Sequence, residues 1–502
     1  MNTMNQSGFR RFTALAVMAL LITACGKPEQ ATPTAEDPTA SVAVPVTTSS
    51  EAALGLFQKG VTLFDNLHVV EANEAFVEAT ALDPDFALAH YMVALTSQTT
   101  AEFFDAIGKA RALAPNVSEG EQLYIRATVA ASENDQQAQL DALKQLVAAY
   151  PQDARTHLAL GTFLTGQQDF DGAVKHYMHA TSIDPDFASA YNQLGYAHRS
   201  LGDLESAKSA FARYVELMPG EANPYDSYAE LLMEMGSYDE SIENYRKALS
   251  IDPDFAASYA GLTINYSLKG EADNAQEAAE QMLAAARNFA ERQGAMFRSV
   301  TSYLFAGNTE AAMEVSETML AEAEVRGNHA AMGGVHEYMG DMMLAADNPA
   351  KAVEHFNAAL DHRLQANMNE ANKAQAERTH LFKTTIAAMI GDDLDAAASG
   401  TAEYTAAVEA NGTAFEKRRA HQLAAYLAML NEEFESAAGH FAMASPFNPV
   451  VLYWSAVNSA ELGDTEKARE LATRAANRNT LNANLPLVRA DALQLLTELD
   501  AD

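Results

Sequence analysis

Three consecutive stretches of the same length decide the fold of this chain. They are residues 154–187, ARTHLALGTFLTGQQDFDGAVKHYMHATSIDPDF; residues 188–221, ASAYNQLGYAHRSLGDLESAKSAFARYVELMPGE; and residues 222–255, ANPYDSYAELLMEMGSYDESIENYRKALSIDPDF. Each copy is 34 residues long and carries an aromatic residue at its twenty-fourth position and a proline at its thirty-second. The apolar residues between these markers recur at helical spacing, which predicts two helices in each copy.

The side chains of the first copy suggest how its two helices pack. Gly161, Ala173 and Ala180 are small and allow a close approach, while Tyr177 is placed to fill the wedge between neighbouring helix pairs. Pro185 ends the second helix, because proline disfavours helical geometry in the residue before it. A single hairpin cannot bury its apolar face alone, so the hairpins are expected to stack into a solenoid.

The period and the residue pattern resemble the tetratricopeptide repeat. Weaker copies continue the pattern in both directions, and no stretch shows the alternation typical of a β-strand. We therefore predict an all-α protein, an α-solenoid of about twelve helix hairpins, and the resemblance implies a right-handed superhelix. The predicted divisions are an N-terminal array over 51–289 and a more divergent C-terminal array with a closing helix over 290–502.

The first residues predict export and a lipid anchor. Residues 1–24 combine a basic start with an apolar run that is short for a membrane span, which is typical of a signal peptide. Leu21-Ile22-Thr23-Ala24-Cys25 resembles a lipobox, and Cys25 is the only cysteine in the chain. The resemblance implies lipidation at Cys25, by a chain such as palmitate, on the periplasmic side of a bacterial outer membrane. The alternative is an ordinary secretory signal with a cysteine near its cleavage site. Residues 25–50, rich in proline, threonine and serine, are predicted to be a disordered tether.

The formal net charge of −35 restricts the class of partner. So acidic a chain is a poor match for nucleic acid or for an anionic lipid surface. It favours basic partners or cations, or simply a well-solvated surface.

No catalytic motif stands out. The chain has no phosphate-binding glycine loop, and His336-Glu337 lacks the second histidine of a zinc-helix motif. His176 and His179 are three residues apart on one predicted helix, but no third ligand is evident. We expect no enzymatic activity, no cofactor and no metal.

The resemblance implies that the first helix of each hairpin lines a concave groove through its second, fifth, ninth and twelfth positions. In the first repeat these positions hold Leu54, Phe57, Val61 and Phe64, with Tyr91 as a neighbour. A surface helix with a second apolar stripe needs a partner. We predict a site for an apolar peptide segment there; the alternative is that other parts of the chain cover the stripe.

Further along the groove the same positions become polar. Such side chains can bind the backbone or the terminal carboxylate of an extended peptide, or they can be ordinary solvated residues. The basic carboxylate clamp of chaperone-binding relatives is absent. The polar candidates are Arg155, Asn192, Tyr196, Arg199, Asn223, Asp226 and Glu230.

These observations predict a lipid-anchored periplasmic scaffold that binds envelope proteins or peptides through its concave face. Two alternatives remain open: a non-catalytic accessory subunit of a cell-wall or envelope enzyme, and a solenoid that binds cations or small ligands. Association of the chain with itself is also possible.

Overall fold

The computed structural model describes residues 43–66, 68–97, 99–133, 135–366, 368, 370–477 and 483–501. Within those ranges every regular element is helical. A single 3-10 turn, Ala114–Asn116, follows α4. The helices are α1 Glu51–Asp65, α2 Val69–Leu82, α3 Ala87–Thr96, α4 Thr100–Leu113, α5 Glu119–Ser132, α6 Gln136–Ala149, α7 Ala154–Gly166, α8 Phe170–Ile183, α9 Ala188–Leu201, α10 Leu204–Leu217, α11 Ala222–Glu234, α12 Tyr238–Ile251, α13 Ala256–Lys269, α14 Ala272–Ala285, α15 Phe289–Phe305, α16 Thr309–Val325, α17 His329–Ala345, α18 Pro349–Gln365, α19 Glu370–Ile390, α20 Leu394–Asn411, α21 Ala414–Leu430, α22 Phe434–Met443, α23 Pro449–Glu461, α24 Thr465–Ala476 and α25 Arg489–Ala501.

Side-chain caps fix where many of these helices begin. Asp153, Asp169 and Asp203 each accept a hydrogen bond from a backbone N–H in the first turn of the helix that follows. Such a cap satisfies one of the amide donors that a helix leaves unpaired at its start. Asp169 and Asp203 are 34 residues apart and occupy the same position of successive copies, so there the repeat also sets where the second helix of the hairpin begins.

Glycine opposite an aromatic ring sets the spacing within a hairpin. A Cβ added to Gly161 would lie 2.5 Å from Cε1 of Tyr177, so only glycine allows α7 and α8 to approach this closely. Tyr177 also packs against Leu194 of the next hairpin, which confirms its predicted place in the wedge. The same pairing, sixteen residues apart, occurs at Gly60 and Phe76, Gly161 and Tyr177, Gly195 and Phe211, and Gly340 and Phe356.

The prediction of about twelve hairpins is confirmed by the number of helices, since the described chain has the 24 successive helices α1 to α24 before its final helix, α25. The pattern loosens after residue 289 for a simple reason. Helices α15 to α18 are 17 residues long, whereas most helices before them have 13 or 14. With nearly one additional turn in each helix, these hairpins are longer than 34 residues, so their residues no longer match the positions of the repeat. The hairpin architecture itself continues.

The described residues divide into two compact units. One comprises residues 43–232 with 250–252, and the other comprises residues 233–249 with the described residues from 253 onward. The division therefore lies within the copies that repeat best, well before the predicted boundary at 289. The lengthened helices alter the sequence pattern at 290, but packing continues from α14 to α15.

The predicted tether is shorter than expected, because residues 43–50 are bound to the N-terminal unit. Thr47 donates from its backbone N–H and its hydroxyl to the two carboxylate oxygens of Glu121, at 2.9 and 2.6 Å. Thr48 Oγ1 donates to Asp83 Oδ2 at 2.5 Å. The prediction of disorder is wrong for this segment. Its hydrogen bonds to the buried carboxylates of Asp83 and Glu121 offset the conformational entropy that the segment loses when it is ordered. The remainder of the tether, like Cys25 and the signal peptide, lies outside the described residues.

Candidate protein-binding site

The structure places Phe57 in the core of the first hairpins. Its side chain is only 6% exposed, and its ring centroid lies 5.6 Å from that of Phe76 and 5.0 Å from that of Phe86. The prediction that Phe57 lines a peptide groove is therefore wrong. Phe86, which precedes α3 and was not recognised in the sequence as a neighbour, covers the second apolar stripe.

The other apolar candidates are also partly covered by the chain itself. Val61 and Phe64 pack against the same core cluster, and Leu54 is half-buried. Tyr91 lies against Tyr124 with ring centroids 5.9 Å apart, and burial raises the pKa of the Tyr91 hydroxyl to about 12. The described residues thus leave no continuous apolar stripe here for a partner.

Arg155, the first of the polar candidates, is bound by a distant part of the N-terminal unit. Arg155 binds Asp65 with both terminal nitrogens, at 3.0 and 2.6 Å. Ser189 donates to the backbone oxygen of Asp65, and His68 Nε2 lies 3.1 Å from Glu221 Oε2. The end of α1 therefore reaches the starts of α7 and α9, where the sequence predicted open groove.

Three of the polar candidates form one network. Tyr196 donates to Ser227 at 3.1 Å and lies 3.4 Å from Glu230 Oε2. Arg199 Nη1 forms a salt bridge with Glu230 Oε1 at 3.0 Å. Burial raises the pKa of Tyr196. The network holds α9 and α11 together, so these polar groups already serve one another.

The remaining three candidates differ in their surroundings. Asn223 donates to the hydroxyl of Tyr214 at 3.0 Å, and Asp226 is half-buried. Asn192 is buried, and its Oδ1 accepts no hydrogen bond from the described residues.

A site that the sequence analysis missed lies in the C-terminal unit. A cavity of about 430 Å³ opens between the first helices of successive hairpins, α17, α19 and α21, and is bounded by the turns at 445–450 and 484–487. Its wall combines charged and aromatic side chains. The charged and aromatic side chains of the wall include Glu337, Asp341, Phe382, Lys383, Phe415, Arg418, Arg419 and Phe447.

Arg419 lies between two aromatic rings of this cavity. Its guanidinium carbon is 4.7 Å from the ring centroid of Phe382 and 4.6 Å from that of Phe415. A guanidinium in contact with ring faces is attracted by their negative charge density and is held in one orientation. Phe415 remains 51% exposed and Phe447 40% exposed, so part of this aromatic surface is open to a ligand.

The carboxylates of the cavity are paired with other cations. Lys383 Nζ lies 2.6 and 2.7 Å from the two oxygens of Asp341, and Glu337 is paired with Arg363. Burial raises the pKa of Asp341, although the Lys383 ammonium opposes the shift. Arg419 forms no salt bridge with any carboxylate of the described chain. Arg419 therefore places a positive charge in the cavity wall of a strongly acidic protein.

The sequence did contain a signal for this site. Lys417-Arg418-Arg419 is a run of three basic residues in a chain of net charge −35, and the aromatic Phe415 stands two positions before it. On the repeat grid, Glu337 and Asp341 occupy the fifth and ninth positions of one copy, and Arg419 the second position of another. The positions expected to line a groove therefore do so, but in the C-terminal unit.

Comparisons with known proteins agree with the hairpin architecture. Each unit is built of helix hairpins, and the C-terminal unit has a cavity lined by side chains of first helices. A family model described as TPR repeat matches residues 163–202 and 229–268, and one described as tetratricopeptide repeat matches residues 188–220. The chain therefore contains tetratricopeptide repeats, as predicted.

Curated relatives match about a fifth of this chain. Hsp70-Hsp90 organizing protein 1 of Glycine max is 29% identical over 93 residues, covering 18% of this chain and 16% of that protein. Protein O-mannosyl-transferase TMTC3 of Homo sapiens is 27% identical over 115 residues, covering 20% of this chain and 13% of that protein. The chain thus matches less than a fifth of the length of either relative.

Two solved structures of similar proteins resemble parts of this chain, each with a TM-score below 0.5. A tetratricopeptide repeat protein from Parabacteroides merdae ATCC 43184 is 16% identical with a TM-score of 0.40, covering 52% of this chain and 99% of that one. MamA is 26% identical with a TM-score of 0.30, covering 32% of this chain and 93% of that one. Neither superposition carries an argument about function. Among the described helices, none is long and apolar enough to cross a membrane.

Proposed function

We propose that this protein is an interaction scaffold whose C-terminal unit binds an anionic segment of a partner protein, either an acidic side chain beside an apolar residue or a chain-terminal carboxylate. Tetratricopeptide arrays are in general protein-binding scaffolds, and the role proposed is binding without catalysis. The single observation that carries the proposal is Arg419, held between Phe382 and Phe415 in an open cavity without a carboxylate partner.

The chemistry of the cavity favours such a segment. A guanidinium fixed by two rings presents its N–H donors in one plane, which suits bidentate binding of a carboxylate. Phe415 and Phe447 offer apolar surface beside it for a neighbouring side chain. Because Asp341 and Glu337 are already neutralised, a bound carboxylate meets little repulsion from the cavity wall.

We further propose that the scaffold acts at the bacterial cell envelope, anchored through lipid on Cys25 and facing the periplasm from the outer membrane. The lipobox-like residues before Cys25 support this location. Residue 43 is already bound to the N-terminal unit, so the chain available between anchor and body is residues 26–42. At full extension it reaches about 60 Å at most.

The binding proposal is tested by cross-linked affinity capture from the native envelope, comparing the wild type with Arg419→Gln. The matched control is Arg213→Gln, since Arg213 also lies over an aromatic ring, that of Tyr191, but outside the cavity. A discrete set of partners that Arg419→Gln loses and Arg213→Gln keeps supports the proposal. Equal capture by all three proteins contradicts it.

The anchoring proposal has its own test. Metabolic labelling with an alkyne analogue of palmitate labels the wild type but not Cys25→Ala, and only the wild type stays with the outer-membrane fraction after a high-salt wash. A label that persists in Cys25→Ala shows that the lipid is attached elsewhere, and no label in either protein rejects lipidation.

A further inference from the structure

Histidines recur at two fixed places in three of the hairpins. In the copies beginning at residues 154, 333 and 418, a histidine stands at the fourth position, on the first helix, and another at the twenty-third, on the second helix. Each pair is separated by 19 residues, and in each the two Nδ1 atoms are 3.1 Å apart. The pairs are His157 with His176, His336 with His355, and His421 with His440.

A fourth pair has a similar distance between its Nδ1 atoms, but its two histidines are 33 residues apart in the sequence rather than 19. His329 of α17 and His362 of α18 have their Nδ1 atoms 3.2 Å apart. His362 also stacks on His336, with ring centroids 5.6 Å apart and planes inclined by 8°. Two histidine pairs are thus adjacent on one hairpin. The sequence analysis considered His176 with His179, but the structure pairs His176 with a residue of the preceding helix.

The separation of the nitrogens suits two ligands on one metal ion. Zinc binds histidine nitrogen at about 2.0–2.1 Å, so two ligands of a tetrahedral ion lie roughly 3.3 Å apart. Adjacent ligands of a square-planar ion such as Cu²⁺ lie roughly 2.9 Å apart. The observed 3.1–3.2 Å falls between these values.

One pair also shows the outer hydrogen bond that orients a metal ligand. His157 Nε2 lies 3.1 Å from the backbone oxygen of Pro151. A carbonyl oxygen only accepts, so Nε2 carries the proton and Nδ1 directs its lone pair towards His176. Metal-binding histidines usually donate their second nitrogen in this way.

We propose that these histidine pairs are two-ligand sites for a divalent transition-metal ion that prefers imidazole, such as Zn²⁺ or Cu²⁺. No group of three or more His, Cys, Asp or Glu side chains in the described parts of the chain has metal-binding geometry. Water or a partner therefore completes the coordination. Each bound ion links the two helices of a hairpin, so metal binding stabilises the folded state.

The test uses the full chain, freed of metal and carrying Cys25→Ser in every variant so that the thiol does not contribute. Zn²⁺ is titrated by calorimetry at pH 7.4 into this reference and into the triple variant His157→Gln, His336→Gln, His421→Gln. The matched control is His90→Gln with His380→Gln, because these imidazoles bind Pro84 and Asn357 and not another histidine. Equal Mg²⁺ reports binding to the acidic surface.

The proposal expects Zn²⁺ uptake and a raised Tm in the reference and the control, with uptake reduced at least two-fold in the triple variant and no comparable effect of Mg²⁺. Uptake that is equal in all three proteins, or absent, overturns it and leaves the pairs as hydrogen-bonded neighbours. Electron paramagnetic resonance of the Cu²⁺-loaded reference gives an independent answer should the triple variant not fold. Coupling to two nitrogens supports the sites, and oxygen-only coordination overturns them.

Discussion

Gly161 and Tyr177 touch so closely that no side chain larger than hydrogen fits between α7 and α8 at this point. The ring of Tyr177 is fully buried, and its hydroxyl lies 3.0 Å from that of Thr165. Because the ring is held by the next hairpin as well, it cannot retreat when the glycine is replaced. The same relationship in three other hairpins makes this pair the repeated joint of the solenoid.

Gly161→Ala is therefore expected to destabilise the protein although alanine is the better helix former. Three atoms of the Tyr177 ring would lie 2.5–3.0 Å from the new Cβ, so the cost is expected in the upper part of the 1–3 kcal/mol range for core overpacking, at about 2–3 kcal/mol. The helix-propensity gain offsets about 1 kcal/mol of this cost. The net loss of about 1–2 kcal/mol should lower the Tm by about 2–8 °C in thermal unfolding followed by circular dichroism. Gly108→Ala is the control, since its Cβ meets nothing within 4 Å; it should leave the Tm unchanged or raise it. A Tm unchanged by Gly161→Ala would contradict the packing described.

The second prediction concerns Phe57. As a core residue, Phe57→Ala should lower stability by about 3–5 kcal/mol. Phe104 is 53% exposed, so Phe104→Ala should change stability by less than about 0.5 kcal/mol. Denaturant unfolding of the two variants beside the wild type decides the point. Similar midpoints for both would return Phe57 to the surface and to the list of ligand-binding residues.

Gly161 and Phe57 show which features of the structure could be predicted from the sequence and which could not. The hairpins, their number, the small residues between the two helices and the wedge position of Tyr177 followed from the repeat, because each is a local property of 34 residues; the contact of Gly161 with the Tyr177 ring did not. The burial of Phe57 depended on Phe86 and the pairing of Arg155 on Asp65, which is 90 residues away. Position in a repeat shows which way a side chain points, but not whether a distant part of the chain will cover it.

The C-terminal cavity was missed for a related reason. The predicted groove residues lie in the copies that match the repeat best, whereas the cavity is lined by first-helix residues of more divergent copies, such as Glu337, Asp341 and Arg419. Helices α19 and α20, at 21 and 18 residues, depart furthest from the 34-residue period. The cavity lies beside this irregular hairpin, where the sequence pattern gives the weakest register.

The third prediction concerns the buried ion pair of the cavity. Lys383→Met leaves the Asp341 carboxylate buried without its cation and should cost about 3–5 kcal/mol at pH 7.5. Lys109→Met is the control, because its partner Asp105 is largely exposed; it should cost about 1 kcal/mol or less.

The pH dependence of this deficit has a definite sign. Burial raises the pKa of Asp341 above its ordinary value, and removing Lys383 raises it further. A group with a raised folded-state pKa destabilises the fold as the pH rises through that pKa. The deficit of Lys383→Met should therefore shrink as the pH falls from 7.5 towards 5. A deficit that grows over this interval would be incompatible with a buried carboxylate.

The fourth prediction concerns residues 43–50. The hydroxyl of Thr48 is the main cause of the lowered pKa of Asp83, and a hydrogen bond to a charged group contributes about 1.5–3 kcal/mol. Thr48→Val should release this segment, so hydrogen exchange at the amides of 47–49 should become at least ten-fold faster. Thr62→Val is the control, since that hydroxyl bonds only within its own helix. Unchanged protection in Thr48→Val would show that Glu121 alone holds the segment.

The central claim is that a partner enters the cavity beside Arg419. The most direct measurement replaces Phe415, in living cells, with the photo-crosslinking residue benzoyl-phenylalanine, and makes the same replacement at Phe104 as the control. The two phenylalanines are 51% and 53% exposed, so their general reactivity is matched. The account predicts a discrete cross-linked product at position 415 that Arg419→Gln abolishes, and none of that size at position 104. The same products at both positions, or a product at 415 that survives Arg419→Gln, would contradict it.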